Sequence, residues 1–185
     1  MAKVLVLNGS PRRGGNTDAL TAKAAEGVRS AGSQVEEIFL SALKIHPCTG
    51  CESCASIEAY CVSDDDMNGV MKKVIEADAI LLASPVWWFN ISTYLKAAVD
   101  RFYGALMKDA AFLKGKKLGL AFCYGGDDEL TSGVKNAINS FQDIATYTEA
   151  QIVGTVQGHA SEKGEILKNA TLMKSAVELG KKLGE

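Results

Sequence analysis

Apolar residues in this chain fall into two alternating kinds of run. Residues 4–7, 79–83 and 118–124 are almost continuously apolar, the pattern of strands covered on both faces of a parallel sheet. Between them lie stripes at helical spacing: Leu20, Ala24, Val28 and Ala31; Met67, Val70, Met71, Val74 and Ile75; Leu95, Val99, Phe102 and Leu106; Leu130, Val134, Ala137, Ile138 and Phe141; Ile166, Ala170, Met173, Val177 and Leu183. Each predicts an amphipathic helix. Residues 33–40 and 152–156 supply two more strands, and Glu36 and Glu37 put the former at a sheet edge. Gly32 is placed to end the first helix. The Asp64–Asp66 run is expected to cap the second helix, and Asp127 or Asp128 the fourth.

Strand and helix alternate five times with no linker or repeat. The expectation is an α/β doubly wound sandwich: one domain over residues 1–185, a five-stranded parallel sheet of order 2-1-3-4-5, and a cysteine-rich loop at 45–64. Ligands in such sheets bind beyond the carboxyl ends of the strands, where strands one and three diverge.

A net charge of −2 gives no basic face for nucleic acid. No segment approaches the roughly 18 uninterrupted apolar residues of a membrane span. Met-Ala-Lys leads directly into a core strand, so a cytoplasmic protein is expected.

Three post-strand loops carry the chemistry. The first, within KVLVLNGSPRRGGNT, joins a strand to a helix through glycines that let backbone N–H groups approach a ligand. Arg12 and Arg13 add charge, and Ser10, Asn16 and Thr17 add neutral donors, so the expected guest is a phosphate. Gly15 and Asn16 stand where a Walker loop needs lysine and a hydroxyl, which argues against a nucleoside triphosphate. The dinucleotide fingerprint is also missing, and strand two ends Ile38-Phe39-Leu40, without an acid for ribose. One terminal phosphate remains.

The second loop, Pro85, Val86, Trp87, Trp88, Phe89 and Asn90, places three consecutive aromatics after a buried strand. They cannot all face one core, so some are expected to wall a pocket for a planar ring, with others left for core or dimer packing. Tyr124, Gly125 and Gly126 form the opposing lip. Lys96 and Asp100, at i, i+4 spacing, are read as a surface pair with no catalytic part.

Cys48, Cys51, Cys54 and Cys61 put four of the five cysteines on one irregular loop. Close-set thiolates of this kind can wrap a compact metal centre. A four-cysteine zinc site more often uses two separated knuckles, and a loop holding no metal is a third reading. Cys123, in a buried strand, reads as a small core residue.

GSPR followed by GNT, then SPVWW and LKAAVDRF, resembles the flavodoxin-like, FMN-binding NAD(P)H oxidoreductases over nearly the whole chain. The resemblance implies that Ser10, Arg12, Asn16 and Thr17 hold the FMN phosphate, with Arg13 the less certain arginine. It departs at Trp87, where tyrosine is usual. The cysteine spacing and the following VSDDDM resemble the iron-sulfur flavoprotein branch, in which all four cysteines hold one 4Fe-4S cluster. These resemblances imply an FMN-dependent oxidoreductase, a homodimer or homotetramer, taking electrons from NAD(P)H or a redox protein. A non-enzymatic electron carrier and a flavin-only reductase are the alternatives. Hydride transfer to flavin requires no acid-base side chain, and none is assigned.

Overall fold

The computed structural model describes residues 1–185. Its elements, in chain order, are β1 (Lys3–Asn8), α1 (Asn16–Ser30), β2 (Gln34–Phe39), α2 (Met67–Glu76), β3 (Ala79–Trp87), β4 (Asn90–Ile91), α3 (Thr93–Asp100), α4 (Tyr103–Leu106), β5 (Lys117–Tyr124), α5 (Val134–Thr148), β6 (Gln151–His159) and α6 (Ala170–Gly184). The parallel path runs β2-β1-β3-β5-β6. With the five long strands numbered alone, this is the expected 2-1-3-4-5. The sixth strand, β4, is a short addition that pairs antiparallel with the end of β3.

Period-2 alternation within the strands builds two cores. Leu5, Leu7, Ile80, Leu82, Leu120 and Phe122 face α2, α3 and α5. Val4, Val6, Leu81, Ala121 and Cys123 face α1 and α6. The second face is lined with small residues, and its helices cross closely enough that a Cβ on Gly27 would stand 2.0 Å from the Val177 carbonyl oxygen. β2 is an edge strand, as expected, and its half-buried Glu37 is spent on hydrogen bonds from Asn8 Nδ2 (3.0 Å) and Thr21 Oγ1 (2.7 Å). Gly32, at φ +76°, ends α1 by donating to the Arg29 carbonyl.

The helices differ from the expectation at three places. The expected helix through Leu130 starts only at Val134, after Gly133 in the left-handed region. Asp128 instead accepts from the N–H groups of Leu130 and Thr131, closing a turn that leaves Leu130 exposed. Asp66 makes no side-chain cap on α2, because its carboxylate accepts from Lys44 N–H across the base of the cysteine loop; within the acidic run it is Asp65 Oδ1 that accepts from Met67 N–H (3.1 Å) at the helix start. The stripe from Leu95 to Leu106 is divided between α3 and α4 by a break at Arg101 and Phe102. No helix is long and apolar enough to cross a membrane.

Candidate functional site

The carboxyl ends of β1, β3, β5 and β6 surround a cavity of about 310 Å³, at the small end of the ~300–1,000 Å³ usual for small-molecule sites. Ser10, Arg12, Asn16 and Thr17 line one side of it; Pro85, Val86 and Trp87 form the second, and Tyr124 and Gly125 the third. The first loop is held from both directions. Asn8 Oδ1 accepts from Ser10 N–H (2.9 Å), and Ser10 Oγ accepts from Arg12 N–H (3.2 Å). Ser92 Oγ donates to the Gly9 carbonyl (2.7 Å) while Ser84 Oγ accepts from Ser92 N–H (2.9 Å), tying this loop to the aromatic one. A Cβ at Gly9 would lie 2.7 Å from that of Leu95, so glycine is what lets α3 approach.

The α1 N-terminus opens into this cavity. Its N-cap, Gly15, supplies no side-chain acceptor, leaving first-turn N–H groups and the helix dipole available to an anion. Arg12 takes part in none of the ion pairs. Arg13, by contrast, lies over the Phe39 ring at 3.8 Å, a cation–π contact that separates the two arginines. Asn16 turns its side chain to the loop after β6, with Nδ2 donating to the Glu162 carbonyl (2.9 Å) and Oδ1 accepting from Ile166 N–H (3.3 Å). These donors fit a terminal phosphate.

Four expected residues lie away from the cavity lining. Trp88 and Phe89 are the central residues of the two-residue turn between β3 and β4, Trp88 being 93% exposed. Both take positive φ, 47° and 67°, the backbone of a type I′ turn that normally favours asparagine and glycine. The Phe89 carbonyl accepts from Asn136 Nδ2 (3.1 Å). Asn90 Oδ1 accepts from Ile91 N–H, and Gly126 packs on Ser132. The sequence reading missed three lining residues: Cys123, Ala160 and Ser161. The position of Ala160 and Ser161 just after β6 was the available signal, since every loop at that end of the sheet borders the site. Burial, against a weak opposing hydrogen bond with Thr17, pushes the Cys123 thiol up to about 12. Burial and then the carboxylates of Glu129 and Asp128 raise the Tyr124 phenol.

A second cavity, about 470 Å³, is lined by Cys48, Cys51, Cys54 and Cys61 together with Arg101. Its frame is specific. Asn68 brackets Cys61 from both sides, Oδ1 accepting from its N–H (2.9 Å) and Nδ2 donating to its carbonyl (3.0 Å). Asp65 accepts from His46 N–H (2.9 Å), closing the base of the loop beside the Asp66–Lys44 contact. The Tyr60 carbonyl rests on Gly104 of α4, where a Cβ would be 2.0 Å away. Lys96 and Asp100 form the expected surface pair.

Hydrogen bonds from the Ser53 hydroxyl and backbone and from Thr49 bring the exposed Cys51 thiol down to about 7. At Cys61, burial works against the thiolate, but the Ser63 backbone and hydroxyl and the nearby Arg101 charge together lower its pKa. No three His, Cys, Asp or Glu side chains gather closely enough to hold a single ion. One zinc would need four sulfurs at about 2.3 Å from a common point, whereas a multi-iron cluster interposes its own iron and sulfide and accepts wider spacing. Four thiols facing one cavity are the donor chemistry of an iron-sulfur cluster.

A phosphate-ready helix N-terminus and an aromatic wall at the switch point of a 2-1-3-4-5 sheet define a flavodoxin-like protein. Residues 2–164 match the model of the NADPH-dependent FMN reductase family, and the chain belongs to that family. An iron-sulfur flavoprotein of Archaeoglobus fulgidus is 32% identical over 187 residues, spanning 99% of this chain and 79% of that protein. One from Methanosarcina thermophila is 33% identical over 141 residues, 76% of this chain and 71% of that protein. Among solved structures, an FMN-dependent NADH-azoreductase from Bacillus anthracis in complex with FMN superposes with a TM-score of 0.71. It is 17% identical, covering 99% of this chain and all of the other (100%), a likeness of fold.

Proposed function

We propose that this enzyme binds FMN in the first cavity and a 4Fe-4S cluster on the second, and moves electrons from NAD(P)H through the flavin to an acceptor. When bound, FMN supplies hydride acceptance and the cluster supplies one-electron exchange. The observation that carries the reading is the pairing of two sites on one chain, an uncapped helix N-terminus with a free arginine and a cavity lined by four thiols.

The chain's own part is binding, orientation and electrostatics. Ser10, Arg12, Thr17 and the first-turn N–H groups of α1 hold the phosphate. Asn16 contributes its backbone while its side chain fixes the loop after β6. Pro85, Val86 and Trp87 wall one side of the ring, facing Tyr124 and Gly125; Gly126 shapes the lip behind them. Trp88, Phe89 and Asn90 present an aromatic tip beyond the cavity, available to a nicotinamide donor or a second copy of the chain. Exposure of Trp88 together with Phe89, at 93% and 53%, supports a homodimer or homotetramer.

Anaerobic purification followed by acid release of the cofactor, iron and sulfide assays, and stopped-flow mixing with NADH and NADPH tests this reading. FMN, about four irons per chain and rapid bleaching of the flavin are expected. FAD alone would refute the first site, and absence of iron after anaerobic reconstitution would refute the second.

A further inference from the structure

Arg101 follows α3 with its side chain only 1% exposed. One nitrogen, Nη1, donates to the Asp65 carboxylate and to the His46 carbonyl at 3.3 Å. The other two, Nε and Nη2, are buried with no hydrogen-bond partner. A guanidinium cannot shed its charge or become an acceptor, and a buried ion pair stabilises only when its remaining donors are met. The fold thus holds two donors in reserve.

Those donors belong to a residue that lines the four-cysteine cavity, beside Cys61. The cavity's other carboxylates, Glu52 and Asp100, are exposed, and Asp100 is paired with Lys96. The Cys61 sulfur is an acceptor close enough for Arg101 to stabilise its thiolate. The same side chain grips the base of the loop at both ends, through His46 and Asp65.

Resting on the cluster reading, we infer that Arg101 is a positioning residue for the cysteine centre: Nε and Nη2 donate to Cys61 and cluster sulfur, seating the centre and raising its reduction potential. One-electron reduction adds one negative charge to the centre and breaks no bond. Donors and positive charge at its sulfurs favour that reduced form.

The test compares anaerobically reconstituted wild type, Arg101→Lys and the double variant Arg101→Met/Asp65→Asn, which removes both ion-pair partners so that no lone carboxylate is buried. Iron and sulfide per chain, FMN affinity, thermal melting and the cluster midpoint potential are measured on each. The double variant is expected to keep FMN and a cooperative melt. Its reduced-to-oxidised cluster ratio at a fixed potential should fall about tenfold, ~59 mV for one electron, with Arg101→Lys intermediate. Loss of iron with FMN and melting retained also supports the inference. Full iron at an unchanged potential would overturn it, as would loss of iron only together with FMN and the melting transition, since Arg101 would then act in folding. Wild type that binds no iron refutes the cluster reading itself, and the inference with it.

Discussion

Two helical glycines near the cysteine cavity should respond to alanine with opposite signs. Gly69 lies on the exposed face of α2 with nothing within 4 Å of an added Cβ. Gly69→Ala therefore only removes glycine's backbone entropy cost, and stability should rise by about 0.5–1 kcal/mol. At Gly104 the same methyl would meet the Tyr60 carbonyl oxygen at 2.0 Å and its carbon at 3.0 Å. Real contacts of this kind lie near 3.4 Å, and the obstacle is backbone anchored through Cys61 to Asn68. Relief requires moving the Tyr60–Cys61 segment by more than an ångström. Overpacking of that order costs about 1–3 kcal/mol, which exceeds the helical gain. For a chain of this size each kcal/mol shifts Tm by about 2–4 °C, so Gly69→Ala should melt about 1–4 °C higher and Gly104→Ala several degrees lower. Gly104→Ala should also lose iron on reconstitution while its FMN titration is unchanged, because α4 does not reach the phosphate cavity. Equal melting of the two variants, with full iron in both, would refute the reasoning.

Arg12→Ala removes a charge-assisted phosphate contact worth about 1.5–3 kcal/mol, so the FMN Kd measured by fluorescence should rise roughly ten- to a hundredfold. In metal-free protein, iodoacetamide should modify Cys51 with a half-maximal rate near pH 7, while Cys123, buried and raised to about 12, stays unmodified; mass spectrometry of the digests reads both. Burial opposes the Asp65 carboxylate, but its bonds from Arg101, His46 and Met67 hold the folded pKa below the ordinary 3.8. Its contribution is thus present above 3.8 and lost as the pH falls through the folded value, so Asp65→Asn should flatten the acid limb of a urea-midpoint profile. Light scattering at micromolar concentration should give a dimer or tetramer, with a monomer counting against the aromatic tip as an interface.

The strands were legible because burial on both faces leaves no choice but continuous apolar runs, as at Leu5 through Leu7 and Leu118 through Tyr124. The phosphate loop and the cysteine loop were legible because each is local in sequence. Arg101 was not. LKAAVDRF carries no local sign of its burial, which depends on Asp65, 36 residues away, and no periodicity reports that. The start of α5 was misplaced for a similar reason: Gly133 takes φ +79° against Phe89, where a Cβ would lie 2.4 Å from the Phe89 Cα. The helix begins where the hairpin lets it.

That hairpin tip sets stability and use against one another. Left-handed backbone costs a bulky side chain on the order of 1–2 kcal/mol per residue, and Trp88, nearly all in solvent, recovers little of it by burial. A redesign that scored each position only on its backbone would write Asn-Gly at residues 88 and 89, and the protein would fold more firmly. The same edit would erase the exposed Trp88 and Phe89 rings, next in sequence to Trp87 of the cavity proposed for FMN. Directed evolution for thermostability should therefore find these two positions early, and a screen that also counts turnover should reject them.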